Sequence, residues 1–424
     1  MKIGIFTDAY NPTVSGVVTS INMVESEMKK RGHEVYVFAP SKSIQPNDNQ
    51  TLYMLNSMPL IVAKQYKNRV AAFYSRDIAK KIKELNLDIV HTQSEFSLGH
   101  FGKIISRKFD IPFIHTYHTM WEDYIHYIMP IKGGRKIYSK RLVRTYSRNF
   151  ARKAECIITP SKKTEKYLKY KCKIKNKPIF IIPTGIDTKA FNKENFTDEQ
   201  RNSLKLKLNI KKDDKVILFL GRMGEEKSID VILKSIAPLL EKSDNIKFLL
   251  VGDGPSKEPL EQLTKDLSLE NKVIFTGKVP WNEVPKYYNI ADVFVNASLT
   301  ETQGLTFLEA MAAGVPVIAR YAPNLTEFIK TNQNGILIRN PNDFPKIINS
   351  LLNNKEFYEK ISNESIKTAN DYSVEKFGDN LENLYKEVIK SYKLKKGLSK
   401  NDRIKERKSL YKRLTSTISH FAKL

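Results

Sequence analysis

At 424 residues and 41% hydrophobic content, the chain is long enough for two domains, each with its own core. Its 71 basic against 46 acidic residues leave a net charge of +25, which excludes an acidic surface and points to anionic partners. The two cysteines, Cys156 and Cys172, fit neither a disulfide framework nor a metal-binding spacing and suit a reducing, cytoplasmic compartment. No apolar run approaches the roughly 20 residues of a transmembrane helix. The N-terminal KIGIFTDAY already reads as a strand, so no signal peptide is expected.

The first half alternates strands and helices. Strands are predicted at Lys2–Thr7, Glu34–Ala39, Asp88–Thr92, Pro112–Tyr117, Glu155–Thr159 and Pro178–Ile182. After the first strand, Val18, Ile21, Val24 and Met28 mark the buried face of a helix that stops at Gly32. Alternating units of this kind specify an α/β fold with a doubly wound parallel sheet. Gly16, in the turn before that helix, would let the backbone approach a ligand closely. His118 follows the fourth strand, within His115-Thr116-Tyr117-His118-Thr119.

Two amphipathic stretches come next. Trp121, Tyr124, Ile125 and Ile128 repeat at three and four residues beside His118. Tyr138, Leu142, Tyr146 and Phe150 then recur every four residues among Lys136, Lys140, Arg141, Arg144, Arg148 and Arg152. Residues 132–177 hold 17 basic and 2 acidic residues, and residues 390–424 hold 12 and 2, so these segments carry the whole net charge. An apolar stripe on a densely cationic helix predicts an interfacial helix on an anionic membrane surface, with Trp121, Tyr124, Ile128, Arg141, Arg144 and Arg148 facing acceptor and lipid. Nucleic acid is the rival partner for such charge. It is not expected, because no RRM, KH or helix-turn-helix signature accompanies the charge.

Ile182-Pro183-Thr184-Gly185-Ile186-Asp187 closes the first half in a turn, and a polar stretch to about Arg201 separates the halves. A first domain is thus expected over 1–190 and a second over 201–371, with a helix over 372–390 and a basic tail over 391–424. In the second half, Lys215–Leu220 runs into Gly221-Arg222-Met223-Gly224-Glu225-Glu226-Lys227, Lys247–Val251 into Gly252-Asp253-Gly254, and Val273–Thr276 into Gly277-Lys278-Val279-Pro280. Strand after strand closing on Gly, Asp or a charge predicts a ligand crevice at the C-terminal edge of the sheet.

Residues 293–320, VFVNASLTETQGLTFLEAMAAGVPVIAR, read as strand, loop, helix, strand. Gly304 opens the helix, Leu305, Leu308 and Met311 or Ala312 give its apolar spacing, and Gly314 with Pro316 ends it. Glu301 falls in the loop and Glu309, eight residues on, is expected about two turns inside the helix. The backbone N–H groups of Thr302 to Leu305 would point at an anion. A loop carboxylate can accept from a sugar hydroxyl, and one within the helix can accept from a ribose diol.

The segment E-T-Q-G-L-T-F-L-E resembles the E-x7-E signature of the retaining glycosyltransferases of family 4. That resemblance implies the GT-B fold, in which two Rossmann-like doubly wound domains face each other across a cleft. It also implies roles for residues of this chain: Glu301 on the donor sugar, Glu309 on the nucleotide ribose, and Arg222 and Lys227 on the departing diphosphate. The donor would further be held at Gly16, Val279, Gln303, Gly304, Leu305 and Thr306. His118 would lie near the anomeric carbon and the sugar 6-hydroxyl, making His118, Glu301, Arg222 and Lys227 the catalytic set.

No paired carboxylates flanking a glycosidic bond are evident, so the front-side attack thought to operate in family 4 is expected rather than a double displacement. No DxD-like acidic pair stands at a strand end, so neither metal nor cofactor is expected beyond the donor. HTYHTMWEDY and IPTGID, within a motif order covering about 1–390, resemble the diacylglycerol-glucosylating members of the family. They imply UDP-glucose as donor, the 3-hydroxyl of 1,2-diacylglycerol as acceptor, and a peripheral position on the cytoplasmic membrane face. Another acceptor (phosphatidylinositol, or a soluble sugar or thiol precursor) stays open, as does a non-catalytic basic membrane- or nucleic-acid-binding protein on the same fold. The four residues Glu301, Glu309, Arg222 and Lys227 standing together favour an enzyme.

Overall fold

A computed structural model describes residues 1–11, 13, 15–41, 51–59, 69–122 and 135–418. The chain divides into two compact units, one of Met1–Gly185 with Val374–Leu424 and one of Ile186–Ser373.

In the first unit, eight strands follow one another as β1 (Lys2–Phe6), β2 (Glu34–Ser41), β3 (Leu52–Pro59), β4 (Arg69–Ala71), β5 (Ile89–Thr92), β6 (Phe113–Thr116), β7 (Cys156–Thr159) and β8 (Ile179–Ile181). They lie in the order β4-β3-β2-β1-β5-β6-β7-β8, parallel throughout except where β4 turns back against β3. Ile3, Ile5, Val35, Val37, Ile89 and Ile114 are buried, as expected of strands covered on both faces. The helix Gly16–Lys30 starts where the Ser15 hydroxyl accepts from the Val18 N–H, and buries Val18, Ile21, Val24 and Met28. The sequence reading missed β3 and β4. β3 lacks β-branched residues and carries Asn56 and Ser57, which strands disfavour, so its pairing with β2 creates it.

The C-terminal segment belongs to this first unit. The helix Val374–Lys395, longer than the expected 372–390, lays Phe377, Leu381, Leu384, Tyr385 and Val388 into one core with Ile3, Val24, Met28 and Ile114. Arg31 secures it from the other side through Asp379 at 2.7 Å and the Glu375 carbonyl at 2.9 Å. The basic segment expected as a tail over 391–424 forms a docked helix, Lys400–Ile418, because Leu410 and Leu414 share one helical face and are buried in the same core. Lys395 reaches Glu155 at 2.8 Å and Lys396 reaches Asp110 at 2.6 Å, so part of that charge is spent inside the unit.

In the second unit, β9 (Lys215–Leu220), β10 (Ile246–Val251), β11 (Val273–Gly277), β12 (Val293–Asn296), β13 (Val317–Arg320) and β14 (Ile336–Ile338) form a wholly parallel sheet ordered β11-β10-β9-β12-β13-β14. The order reverses between β9 and β12, which defines the switch point where a doubly wound sheet holds its ligand.

Leu410 tests the docking of the C-terminal helix. Leu410→Ala should destabilise the first unit by about 2–5 kcal/mol, the usual cost of emptying a buried leucine site. Chemical denaturation measures this, and a cost under about 0.5 kcal/mol, typical of an exposed position, would contradict the packing.

Candidate active site

In the second unit the loops after β9 and β12 flank the switch point and carry the charged residues. Gly252 interlocks the neighbouring loop after β10: its φ is 139°, and a Cβ there would collide with the Gly221 carbonyl. The Met223 N–H then donates to the Asp253 carbonyl at 2.9 Å, and the Ser256 N–H donates to the Met223 carbonyl at 3.0 Å. This backing holds Arg222 and Lys227 on a rigid turn.

Lys227 meets Glu301 at 2.5 Å, which joins the loop after β9 to the loop after β12. Arg222 pairs with Glu226, a buried carboxylate that the sequence reading did not single out. Its spacing of four from Arg222 was the available signal. Two cations and two carboxylates therefore meet here, and an arriving diphosphate would draw Arg222 and Lys227 from carboxylate partners to phosphate oxygens.

Gly304 caps the helix Leu305–Ala312 with a φ of 91°, and a Cβ there would meet the Phe307 ring at 2.7 Å. Glycine is thus required for the chain to enter the helix at the ligand edge. Gln303 and Gly304 are buried, and Leu305 and Thr306, in the first turn, are half-buried. Val279 lies just past β11, at the same edge of the sheet two strands from β9.

Glu309 sits five residues beyond Gly304, a little over one turn into the helix and not two. It is 2% exposed, and its Oε2 accepts from the Tyr288 hydroxyl at 2.9 Å. Burial pushes the Glu309 carboxyl up to about 7, against partial opposition from that hydroxyl. Tyr288 was not flagged by sequence, since nothing local links it to a residue 21 positions later.

In the first unit the histidines cluster at the ends of β5 and β6. His115 is buried, its Nδ1 2.9 Å from the Thr92 hydroxyl and its Nε2 3.3 Å from Glu95. His118, two residues past β6, is half-buried, with Nε2 2.6 Å from Gln93 Oε1. Burial, with His115 adding to it, pulls His118 down to about 3, so the ring is neutral at working pH. Gly16 is the exposed first residue of its helix.

Trp121 donates its indole N–H to Glu95 at 3.0 Å and stands edge-on to Phe96. Tyr124 and Ile128 lie outside the described residues. The basic helix spans Arg135–Ala151, and the expected apolar stripe does not stay on one surface. Leu142 is 66% exposed, whereas Phe150 is 1% exposed and packs on Phe113 and His115. Only Arg141 of the three arginines is exposed. Arg144 grips Glu122 with two nitrogens and Arg148, partly buried, reaches Thr145.

A wholly parallel sheet with cations and carboxylates at its switch point, on the same chain as a second sheet ending in a neutral histidine, is the frame of a GT-B nucleotide-sugar transferase. Comparison with known proteins agrees: residues 14–190 match Glycosyltransferase Family 4 and residues 200–368 match Glycosyl transferases group 1. An α-monoglucosyldiacylglycerol synthase of Streptococcus pneumoniae is 36% identical over 411 residues, covering 96% of this chain and 90% of the relative. A second α-monoglucosyldiacylglycerol synthase, from Acholeplasma laidlawii, is 33% identical over 391 residues, covering 92% and 98%. The Anabaena protein HepE, solved in complex with UDP, superimposes with a TM-score of 0.67 at 17% identity, covering 90% of this chain and 99% of that one. The chain belongs to glycosyltransferase family 4 and is a hexosyltransferase of GT-B fold. Among the described residues no helix is long and apolar enough to cross a membrane.

The raised Glu309 group makes a two-part prediction. A folded value above the unfolded one gives stability that is present below pH 4.5 and lost as pH rises through 7, about 3 kcal/mol in total. Glu309→Gln should flatten the fall in stability of the second unit between pH 5 and 8. If the ionised carboxylate holds a ribose diol, UDP binding near pH 6 should release protons in the parent and not in Glu309→Gln. Calorimetry in buffers of different ionisation enthalpy measures this, and equal proton release in both would exclude Glu309 from the nucleotide site.

Proposed function

We propose that this enzyme transfers glucose from UDP-glucose to the 3-hydroxyl of 1,2-diacylglycerol, with retention at the anomeric carbon and without an essential metal. The observation that carries the reading is the meeting of Lys227 with Glu301 at the switch point, in a chain 36% identical to an α-monoglucosyldiacylglycerol synthase.

In this reading the bond between the anomeric carbon and the β-phosphate oxygen breaks, and its electron pair leaves with UDP. Arg222 and Lys227, drawn from their carboxylates onto the diphosphate when the donor binds, then meet the charge that develops on it as the bond breaks. The acceptor hydroxyl bonds to the same face of the sugar and gives its proton to the departing phosphate. Glu301 holds a sugar hydroxyl, Glu309 the ribose and Gly16 the diphosphate, with Gln303, Gly304, Leu305, Thr306 and Val279 lining the donor. A neutral His118 faces the sugar as a hydrogen-bonding group, since an imidazolium there would repel the oxocarbenium-like centre.

Diacylglycerol is insoluble, so the enzyme works at a bilayer, and we place it peripherally on the cytoplasmic face. Exposed Arg141 and Leu142 support a membrane contact at the middle of the basic helix.

With diacylglycerol in vesicles, a donor panel read by product NMR should give an α-linked monoglucosyl lipid from UDP-glucose. A β-linked product or preference for another sugar would overturn the corresponding clause. Arg222→Ala and Glu309→Ala should each cost about 1.5–3 kcal/mol of transition-state binding, roughly ten- to a hundredfold in kcat/KM. His118→Ala should lower kcat more than donor affinity, and unchanged turnover would remove it from the catalytic set.

The basic helix gives a separate expectation. Arg141→Gln should weaken co-sedimentation with anionic vesicles by about 1 kcal/mol, an effect lost in high salt, while folding is unchanged. Arg144→Gln should instead destabilise the first unit, because burial raises the Glu122 carboxyl and Arg144 and Lys140 together outweigh this and hold it low. Equal behaviour of the two variants would contradict the division between a free and an engaged arginine.

A further inference from the structure

His118 is held from one side by a buried polar chain that the catalytic reading leaves unexplained. Gln93 directly follows β5 at the switch point of the first sheet, its N–H bonded to the Phe6 carbonyl at 2.9 Å, and it is 3% exposed. One end of its amide, Oε1, lies 2.6 Å from His118 Nε2. The other end, Nε2, lies 3.3 and 3.4 Å from the two ring nitrogens of His91. His91 is buried and locked in turn, with Nδ1 2.7 Å from the Tyr385 hydroxyl and Nε2 2.6 Å from the Thr116 hydroxyl.

The direction of this chain follows from its donors and acceptors. Burial, with His115 and His118 nearby, keeps His91 neutral, so one of its nitrogens is bare. That nitrogen accepts from the Tyr385 or Thr116 hydroxyl, while Gln93 Nε2, nearly equidistant from both ring nitrogens, lies against the His91 ring and leaves the amide oxygen facing His118. That oxygen can only accept, so His118 Nε2 must carry the ring proton. The imidazole's other nitrogen, Nδ1, is then an acceptor. Tyr385 comes from the helix Val374–Lys395, so the returning C-terminal segment braces the far end of the chain.

We propose that Gln93 is a positioning residue: backed by His91, Thr116 and Tyr385, it fixes His118 in the tautomer with the proton on Nε2 and presents Nδ1 as an acceptor for a hydroxyl of the reacting sugar. The proposal rests on the reading of His118 as a group that faces that sugar. A glutamine suits the task where a carboxylate would not. It fixes the tautomer without the negative charge that would draw a second proton onto the ring.

The test uses the full-length protein, with imidazole ¹⁵N shifts for His118 and steady-state kinetics on UDP-glucose and vesicle-borne diacylglycerol. The parent should show His118 protonated on Nε2. Gln93→Leu should mix the tautomers and lower kcat about tenfold, the effect of one lost hydrogen bond, with donor KM unchanged. Gln93→Glu, nearly isosteric, should put a carboxylate on Nε2–H and raise the His118 pKa. Its rate should then fall as pH drops through that new value, a limb the parent lacks above pH 5. A parent ring protonated on Nδ1, or the same tautomer in parent and Gln93→Leu, overturns the proposal. Full turnover in His118→Ala, measured alongside, would instead overturn the catalytic reading on which it rests.

Discussion

The candidate site depends on one strand, β9, paired in parallel with β10 on one side and with β12 on the other. Because both neighbours run the same way, their following loops leave the same edge and diverge to opposite faces of the sheet, which opens the crevice. Arg222 and Lys227 leave the end of β9 and Glu301 leaves the end of β12, so residues 74 positions apart are brought to 2.5 Å. The interlocked loop after β10 stiffens this turn from behind. In the proposed reading this crevice receives the diphosphate, whose oxygens would take the two cations from their carboxylate partners.

Desolvation sets the protonation of one titratable group in each unit. It drives His118 down and Glu309 up, and in both cases the neutral form gains. The consequences differ. His118 stays neutral at any working pH, whereas Glu309, pushed up to about 7, changes charge near neutrality. One physical cause therefore yields a constant group on one unit and a pH-sensitive one on the other.

The strong basic charge proves less uniform than its total suggests. Lys395 and Lys396 are tied to Glu155 and Asp110, Arg413 to Glu387 and Glu406, and Arg144 to Glu122. These pairs hold the two C-terminal helices and the basic helix against the first unit. The charge left for an anionic surface lies at positions such as Arg141, which is exposed beside the exposed Leu142.

Much of the fold was legible in the chain because its cues are local. Continuous apolar runs, the periodic face Val18, Ile21, Val24 and Met28, and Gly304 and Gly314 at the ends of one helix each report on a few neighbouring residues. The motif residues Arg222, Lys227, Glu301 and Glu309 were likewise visible through their resemblance to the motifs of family 4. What the chain did not disclose depends on partners distant in sequence. β3 exists because β2 offers it a ladder, and the supposed basic tail is a helix because Leu410 and Leu414 find a core assembled some 400 residues earlier. Glu226 on Arg222, Tyr288 on Glu309, and the chain from Tyr385 through His91 and Gln93 to His118 arose only once the strands were ordered. Sequence by itself determined which elements form and which charged side chains stand at their ends. Tertiary structure decided their partners and their protonation, because desolvation and hydrogen bonding are properties of the assembled neighbourhood and not of the residue.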